Sequence, residues 1–352
     1  MASILYGVNG EGSGHSTRAK EIISHLEQRG HKVHVVSFDR GLRNLKSDFE
    51  VTEIYGLRLA YVRNRVRYRK TILGNLLKAP RAARSSQQLA RLAEHWGIDL
   101  VCTDFEPLSC HFARHHGLRV ISIDNQHLLT RAEISYPREC AKDAAAAKLV
   151  TRFMTHGCDA YLVLSFFDAP VRRKNTFLFP PVLRREVLQA QSTTGDYVLV
   201  YVTAPSPELA GLLKRIRRRF VCYGFDRQDD DGNLVYRKPS LEQFLRDLAG
   251  CNAVLATAGF SLISEALHLR KPFLAWPLER QFEQVFNAYY IQKMGYGACW
   301  EELNKERIES FLFNLDEYRE NLAAYPAQDN SRIFAKLDEL IAGQASKAAV
   351  AR

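Results

Sequence analysis

Residues 253–287 contain the feature that most limits the possible folds of this chain, an apolar strand that enters a helix through a glycine turn. Residues 253–256 read Ala-Val-Leu-Ala, Gly259 follows three residues later, and apolar residues recur at helical spacing from Phe260. A second short strand is predicted at 272–276, and another helix from about residue 281. The turn of such a unit directs backbone N–H groups and the positive end of the helix dipole to one point. The unit therefore predicts an anion site in an α/β sheet.

Polar side chains are expected around this anion site. Glu265 comes six residues after the glycine, close enough to reach a sugar hydroxyl beside the anion. Glu283, Gln284 and Asn287 fall at the start of the next predicted helix. An anion seat surrounded by a carboxylate and amides is typical of a nucleotide-sugar site. An ordinary βαβ unit with a solvated helix start would contain the same residue types, so this segment alone leaves both interpretations open.

The N-terminus repeats the same construction. An apolar strand at 4–8 leads into Asn-Gly-Glu-Gly-Ser-Gly-His at 9–15, and a helix with apolar residues at helical spacing follows until Gly30. With a second strand at 32–37, these elements predict a doubly wound α/β domain. The glycine spacing differs from the dinucleotide fingerprint, and no acidic residue clearly ends the second strand. Binding of NAD is therefore disfavoured.

Polar clusters follow three predicted strands of this first domain. The carboxyl ends of parallel strands meet at one edge of a sheet, where open α/β sheets bind ligands. Three clusters at one edge predict a functional site there. The clusters comprise Gly12, Gly14 and His15 after the first strand, Asp104 and Glu106 after a strand at 98–102, and Asn125 and His127 after a strand at 120–123.

The length of 352 residues predicts two domains of ordinary size. Two adjacent prolines and a polar stretch that ends at Gly195 mark a boundary between them. We predict an N-terminal domain at 1–180, a linker at 181–195 and a C-terminal domain at 196–320. A C-terminal helix with a frayed tail is expected at 321–352, and its packing back onto the N-terminal domain is left open.

The net charge of +10 arises largely from one basic block at residues 58–91. Apolar residues interleave with the basic ones, which favours peripheral contact with an anionic membrane or with an acceptor that is anionic or lipid-linked. A solvated charged face is the alternative interpretation. Aromatic residues are few in the block, so no nucleic-acid partner is expected. Its basic residues are Arg58, Arg63, Arg65, Arg67, Arg69, Lys70, Lys78, Arg81, Arg84 and Arg91.

Neither a signal peptide nor a transmembrane segment is predicted. No basic segment precedes an apolar one at the N-terminus, and no apolar run approaches the roughly 20 residues of a membrane span. The seven cysteines are dispersed, which fits free thiols in a reducing compartment. A cytoplasmic location is therefore expected, with peripheral contact at the inner face of the membrane left open.

Two sequence features superficially suggest metal binding. His111 and His115 have the i, i+4 spacing of a helical metal site, but no carboxylate or cysteine is near them in sequence. The aspartates at 229–231 lack the alternating spacing of a calcium loop. A surface helix and a solvated turn are the favoured interpretations, so neither a metal nor a cofactor is expected.

Two Rossmann-like halves, the turn that ends in His15 and the segment at 257–287 together resemble the GT-B glycosyltransferases. The similarity is to the UDP-sugar-dependent branch, which contains the peptidoglycan N-acetylglucosaminyltransferase and the UDP-glucuronosyl and UDP-glucosyl transferases. It covers both domains, and the turn with Gly12, Gly14 and His15 is similar to the glycine–histidine motif of the family. The resemblance implies an α/β GT-B architecture, with two Rossmann-like domains facing each other across a cleft.

The resemblance assigns donor contacts to the segment at 257–287 and to Gly14. Gly259 matches the glycine whose turn meets the diphosphate, and Phe260 and Ser261 follow it at the helix start. Thr257 stands where many plant-type members have a phosphate-contacting histidine, so this contact differs here.

Further donor contacts are implied for the helices that follow. Glu265 matches the glutamate that holds the ribose hydroxyls. Glu283 and Gln284 match the pair that reads the hydroxyls of the donor sugar, and Asn287 matches the asparagine downstream in the same helix.

The resemblance also implies a mechanism. His15 is the general base, because imidazole titrates near neutral pH. Asp104 or, as the alternative, Glu106 orients it. Gly12, Glu106, Asn125 and His127 are assigned to the acceptor side.

We therefore predict an inverting, metal-independent hexosyl- or N-acetylhexosaminyltransferase that uses a UDP-linked donor. Two alternatives are kept: a non-hydrolysing UDP-sugar 2-epimerase, and a non-catalytic protein that binds nucleotide sugars or polyanions.

Overall fold

The computed structural model describes residues 1–56, 61–62, 65–66, 79–203, 205–278 and 281–350. The chain divides into two compact units. The N-terminal unit contains Met1–Ser135, Ala141–Arg184 and Asp329–Arg352, and the C-terminal unit contains Tyr136–Cys140 and Arg185–Gln328. Each unit is built around its own seven-stranded sheet.

The sheet of the N-terminal unit is parallel and has the strand order β3-β2-β1-β6-β7-β8-β9. Its inner strands are apolar and buried, as expected for a parallel sheet covered on both faces. A separate antiparallel hairpin is formed by β4 and β5. The strands are β1 (Ser3–Val8), β2 (Lys32–Ser37), β3 (Val51–Glu53), β4 (Tyr61–Val62), β5 (Arg65–Val66), β6 (Leu100–Asp104), β7 (Arg119–Asp124), β8 (Ala160–Leu164) and β9 (Thr176–Phe179).

This strand order places a topological switch point between β1 and β6. The chain runs outward from β1 to β2 and β3, then returns to β6 on the other side of β1. Open α/β sheets bind ligands beyond the carboxyl ends of the strands at such a point. The helices of this part of the unit are α1 (Gly14–Gln28), α2 (Asp39–Leu45), α3 (Ala79–Trp96), α4 (Pro107–His115), α5 (Leu128–Arg131) and α6 (Ala141–Met154).

The C-terminal unit repeats the plan, with the strand order β12-β13-β11-β10-β14-β15-β16. All neighbouring strands are parallel except β12 and β13, whose antiparallel pairing places Asp230 and Asp231 in a hairpin. Its switch point lies between β10 and β14, where the chain enters the predicted anion-binding turn. The strands are β10 (Tyr197–Tyr201), β11 (Arg219–Tyr223), β12 (Asp230–Asp231), β13 (Leu234–Arg237), β14 (Ala253–Ala256), β15 (Phe273–Ala275) and β16 (Gly297–Cys299).

Helices cover this second sheet, and three of them begin with a serine or asparagine cap. Ser206 accepts a hydrogen bond from the backbone of Leu209, Ser240 from that of Gln243, and Asn304 from that of Arg307. Each cap satisfies a backbone N–H that the helix itself leaves without an acceptor. The helices are α7 (Arg185–Gln189), α8 (Pro207–Leu213), α9 (Leu241–Gly250), α10 (Phe260–His268), α11 (Phe282–Lys293), α12 (Lys305–Phe313) and α13 (Leu315–Ala323).

The C-terminal segment, with helix α14 (Ser331–Val350), belongs to the N-terminal unit. The amide of Asn330 exchanges two hydrogen bonds with the backbone of Leu183, at 3.0 and 2.8 Å. His25 of α1 stacks on Phe334 with ring centroids 4.2 Å apart, and its Nε2 lies 3.0 Å from Oδ1 of Asp338. Hydrogen bonds and an aromatic contact thus attach α14 to this unit.

Most of the basic block lies outside the described residues. Arg81, Arg84 and Arg91 lie on α3, whereas Arg58, Arg63, Arg67, Arg69, Lys70 and Lys78 are not described. Membrane contact through residues 58–91 therefore stays a prediction. None of the helices in the described part of the chain is long and apolar enough to cross a bilayer.

Candidate active site

His15 and Asp104 meet at the switch point of the N-terminal sheet. Asp104 is the last residue of β6 and is in register with Val8, the last residue of β1. The glycine turn after β1 carries the chain to α1, where His15 is the second residue. Nδ1 of His15 lies 2.6 Å from Oδ1 of Asp104, and the histidine side chain keeps 12% of its surface exposed. Because Nδ1 faces the carboxylate, any exchange of a proton with a substrate falls to Nε2.

Arg18 holds the same carboxylate from the other side. Its Nε lies 2.6 Å from Oδ2 of Asp104 and its Nη2 lies 2.5 Å from Oδ1. Its third nitrogen, Nη1, donates to Oδ1 of Asn125 at 2.8 Å. Burial lowers the pKa of the Arg18 guanidinium and Asp104 raises it, with a net upward direction. The buried guanidinium thus joins α1, the end of β6 and the segment after β7 in one network.

The residue after Asp104 has an unusual backbone. Phe105 has a φ of +53°, a left-handed conformation that is unfavourable for a bulky residue. Nδ2 of Asn9 donates to the Phe105 carbonyl at 3.0 Å and helps to hold this conformation. The Phe105 ring lies parallel to that of His15, with centroids 6.5 Å apart, and covers one side of the histidine.

Glu106 does not contact His15 but caps helix α4. Its carboxylate is fully buried and accepts hydrogen bonds from the backbone N–H groups of Leu108 and Ser109 at 2.8 and 2.7 Å. Burial raises the pKa of Glu106, while these hydrogen bonds oppose the rise. Of the two carboxylates considered for orienting His15, Asp104 is the one in contact. An acceptor contact by Glu106 would require exposing this buried carboxylate.

His127 forms a second histidine–aspartate pair. Its Nδ1 lies 2.7 Å from Oδ2 of Asp124, and its Nε2 lies 2.9 Å from the carbonyl of Thr155. Both neighbours are acceptors, so the geometry requires a proton on each ring nitrogen. The side chain of His127 is buried, and an acceptor contact would require breaking one of these bonds. Gly12 lies exposed in the turn after β1, with a φ of +83° that favours glycine.

The predicted anion site of the C-terminal unit is a helix N-terminus. β14 ends at Ala256, Gly259 precedes the first residue of α10, and no side chain caps the helix there. The first N–H groups of a helix have no intrahelical acceptor. A Cβ added to Gly259 would meet no atom within 4 Å, so space is available beside this turn. Thr257 is buried, and Ser261 is partly exposed on the first turn of α10.

Two amides predicted to read the donor sugar are bonded to backbone groups in the segments that follow β14 and β15. Oε1 of Gln284 accepts from the backbone N–H of Leu278 at 2.9 Å, and Nδ2 of Asn287 donates to the Ala258 carbonyl at 3.0 Å. These bonds orient both amides, because an N–H needs an oxygen and a carbonyl needs an N–H. Any contact of these two amides with a sugar would therefore use Nε2 of Gln284 and Oδ1 of Asn287.

The two carboxylates of this region differ in exposure. Glu265 is buried on α10 at 7% relative exposure, whereas Glu283 is partly exposed in the first turn of α11. Of the predicted sugar-contacting residues, Asn287 is bonded to the turn that contains Gly259, through the Ala258 carbonyl.

One of the histidines of α4 lies against other rings. His111 packs beside His156 and Phe153, with ring centroids 5.2 and 6.3 Å away. Within the described residues, no group of three histidine, cysteine, aspartate or glutamate side chains is placed to hold a metal ion.

Sequence reasoning missed Arg18 and Asp124. Arg18 lies on the face of α1 that also carries the apolar residues Ala19, Ile22 and Leu26. A charge on a buried helical face requires a partner, so its position was an available signal. Asp124 ends β7 as Asp104 ends β6, and this repetition was the second signal.

The fold is shared with known glycosyltransferases. MurG from Acinetobacter baumannii is 14% identical, with 96% of this chain and 100% of that chain covered and a TM-score of 0.62. Phytolacca americana UGT2, complexed with UDP-2-fluoro-glucose and pterostilbene, is 14% identical over 98% of this chain and 100% of that chain, with a TM-score of 0.68. The glycosyltransferase VinC, in complex with dTDP, is 15% identical over 98% and 100%, with a TM-score of 0.64. The protein therefore has the GT-B fold, as its sequence predicted.

The family follows from the sequence itself. The model described as glycosyl transferase family 1 matches residues 2–316, so the chain belongs to that family. No curated protein sequence matches the chain significantly. The predicted class of enzyme, a glycosyltransferase, is confirmed. Sugar transfer is thereby favoured over the epimerase and the non-catalytic alternatives.

Proposed function

We propose that the protein is an inverting, metal-independent hexosyl- or N-acetylhexosaminyltransferase that uses a nucleotide-linked donor and His15 as its general base. The observation that carries this proposal is the 2.6 Å contact between Nδ1 of His15 and Oδ1 of Asp104. A carboxylate at Nδ1 favours the tautomer that leaves Nε2 to take a proton, which is the arrangement a general base needs.

In the proposed reaction, Nε2 of His15 takes the proton of an acceptor hydroxyl. The hydroxyl oxygen bonds to the anomeric carbon of the donor, and the bond from that carbon to the diphosphate oxygen breaks. One displacement inverts the configuration at the anomeric carbon. The carboxylate of Asp104 stabilises the positive charge that develops on the ring.

The leaving diphosphate is assigned to the first turn of α10. Backbone N–H groups at Gly259 and Ser261 and the helix dipole favour negative charge at this point. The family resemblance also assigns Gly14 to donor binding. Thr257 and Phe260 line the turn, and Glu265 is assigned to the ribose. Because a helix N-terminus can supply this stabilisation, the proposal includes no metal ion.

The donor sugar is assigned to Glu283, Gln284 and Asn287. Two solved relatives contain different nucleotides, a UDP-sugar analogue in the plant enzyme and dTDP in VinC. UDP is the donor nucleotide we propose, and dTDP is the direct competitor to test. An anionic or lipid-linked acceptor is proposed from the basic block at 58–91, together with peripheral contact at the cytoplasmic face of the membrane.

The proposal is tested by incubating the protein with UDP-, dTDP- and GDP-sugars and measuring both thermal shift and nucleoside diphosphate release. We expect UDP-sugars to stabilise the protein and to be hydrolysed slowly without an acceptor. A UDP-sugar isomer as product would instead indicate the epimerase, and binding without turnover a non-catalytic role.

The base assignment is tested with His15→Ala. The variant should keep donor binding, because His15 is not part of the proposed donor site, and it should lose transfer about 10²–10⁴-fold. A variant that retains the full rate would show that His15 is not the base.

A further inference from the structure

We propose that Arg18 is a positioning residue for glycosyl transfer: it fixes both oxygens of Asp104 and extends to lower pH the range in which His15 acts as a base. The inference rests on the proposed function, because it requires His15 to be the base. The sequence pattern that predicted His15 and Asp104 did not predict a role for Arg18.

The first step is geometric. The guanidinium of Arg18 uses its three nitrogens on three acceptors, with Nε and Nη2 on the two oxygens of Asp104 and Nη1 on Oδ1 of Asn125. A planar fork of this kind fixes the rotation of a carboxylate, which a single ammonium group cannot do. The orientation of Asp104 in turn fixes that of the His15 ring through Nδ1.

The second step concerns charge. Nη2 of Arg18 lies 2.8 Å from Nδ1 of His15, and both nitrogens face Oδ1 of Asp104. Because Nδ1 donates to the carboxylate, it cannot also accept from Arg18, so the guanidinium and the ring share one anion. A second proton on the ring would place two cations beside that anion. Arg18 therefore favours the neutral ring, which is the form that can take a proton.

Other described residues also lie near the His15 ring and the Arg18 guanidinium. Asp104 and Arg18 contact the His15 ring directly, and Phe105 covers one side of it with an apolar surface. Tyr6 and Asp124 act on the guanidinium through longer-range electrostatic interactions that favour its charged form. The cation facing the ring at hydrogen-bond distance is Arg18.

The third step is energetic. Arg18 is 5% exposed on a helix face that is otherwise apolar, and Asp104 is fully buried. Removing two charges from water costs free energy that their attraction roughly repays, so a well-packed apolar pair is often as stable. Stability alone therefore does not account for a buried arginine here, whereas control of Asp104 and His15 does.

The test compares Arg18→Met with Arg18→Lys, using donor hydrolysis and transfer from pH 5 to 9 and thermal unfolding. For Arg18→Met we expect kcat to fall about 10–10²-fold at neutral pH while donor KM stays within about twofold. The acidic limb of the pH–rate profile of Arg18→Met should move to higher pH by about one unit, which corresponds to a tenfold change in proton affinity. For Arg18→Lys we expect a similar fall in kcat with the acidic limb near its wild-type position, because the charge is kept and the fork is lost.

The lysine variant keeps the proposal testable if the methionine variant unfolds. A folded Arg18→Lys with wild-type kcat overturns the positioning role, and a folded Arg18→Met with an unmoved acidic limb overturns the role in pH range. Inactive wild-type protein, or a fully active His15→Ala, overturns the proposed function and this inference together. An active wild type, an inactive His15→Ala and an unaffected Arg18→Met overturn this inference alone.

Discussion

The N-terminal sheet has two histidine–aspartate pairs, and the two aspartates end neighbouring strands. Asp104 ends β6 and contacts His15, and Asp124 ends β7 and contacts His127. The two strands are parallel neighbours, so both carboxylates lie at the same edge of the sheet. The distances from Nδ1 to the carboxylate are nearly equal, at 2.6 and 2.7 Å.

The pairs differ at the second nitrogen of each ring. Nε2 of His127 is bonded to the carbonyl of Thr155, and the side chain is 3% exposed. His15 is 12% exposed at the start of α1, and the polar contacts of its ring among the described residues run through Nδ1. A ring with both nitrogens bonded to protein cannot exchange a proton with a substrate without breaking a bond. The partner of Nε2 therefore separates a structural pair from a candidate catalytic one.

The largest expected difference is between His15→Gln and His127→Gln. We expect His15→Gln to lower transfer about 10²–10⁴-fold and to lower the free energy of unfolding by about 1 kcal/mol, because Arg18 still pairs with Asp104. We expect His127→Gln to lower that free energy by about 3 kcal/mol, because it leaves a buried carboxylate without its cation. Transfer rates and urea unfolding of both variants provide the measurement.

Each variant serves as the control for the other, because the same substitution is made at the histidine of each pair. The rate should be expressed per folded molecule, so that loss of structure in His127→Gln is not counted as loss of catalysis. A folded His127→Gln that is as inactive as His15→Gln would show that the two pairs cannot be separated by the partner of Nε2.

The sequence alone predicted the fold class and the kind of enzyme, because local patterns carry that information. Apolar strands, glycine turns and helical spacing are visible in short windows, and helix α10 begins at Phe260 as expected. The contact between His15 and Asp104 depends on β1 lying next to β6, which are nearly a hundred residues apart in sequence. Strand order of this kind is set by tertiary packing, so the resemblance to a family, rather than periodicity, suggested the pair.

The network around that pair was not predictable in the same way. The sequence predicted Glu106, Asn125 and His127 at one edge of the sheet because each follows a strand. Whether a side chain at such a position faces a ligand or bonds to its own backbone depends on local geometry, such as the cap formed by Glu106. The charge of Arg18 on an apolar helix face was visible, but its partners were not.

A smaller effect is expected from acid. Burial raises the pKa of Asp124, but the charge of His127 and hydrogen bonds from His127 and Ser122 lower it by a larger amount. The resulting pKa is about 2. The folded pKa is below the unfolded value of 3.8, so the stabilisation is present above about pH 4 and is lost as the pH falls toward 2. The difference corresponds to roughly 2–3 kcal/mol. Urea unfolding of the wild type and of Asp124→Asn between pH 6 and 3 should show a flatter pH dependence in the variant.

Asp48→Asn provides the matched control for this acid effect. A hydrogen bond from Lys20 lowers the pKa of Asp48, but Asp48 is 47% exposed, so water screens the pair. The variant should follow the wild-type pH dependence closely. An equal flattening in Asp48→Asn and Asp124→Asn would mean that burial of the second pair does not matter for acid stability.

The smallest expected difference lies in the tyrosine beside each pair. The Tyr161 ring packs on His127 with centroids 4.7 Å apart, and its hydroxyl accepts from the backbone N–H of Cys158 at 3.1 Å. Tyr6 interacts electrostatically with Asp104 and is fully buried, yet its hydroxyl has no hydrogen-bond partner within the described part of the chain. Burial raises the pKa of both phenols.

We therefore expect Tyr161→Phe to lower the free energy of unfolding by about 1 kcal/mol, the usual contribution of one hydrogen bond. Tyr6→Phe should leave it unchanged or raise it by about 1 kcal/mol, because it removes a buried polar group that has no partner. Urea midpoints of the two variants are compared under one condition. A loss of stability in Tyr6→Phe as large as that in Tyr161→Phe would mean that the Tyr6 hydroxyl is bonded, for example to a water beside Asp104. The tyrosine beside each pair would then be hydrogen-bonded. The greater exposure of the His15 side chain, 12% against 3% for His127, would remain as a difference between the pairs.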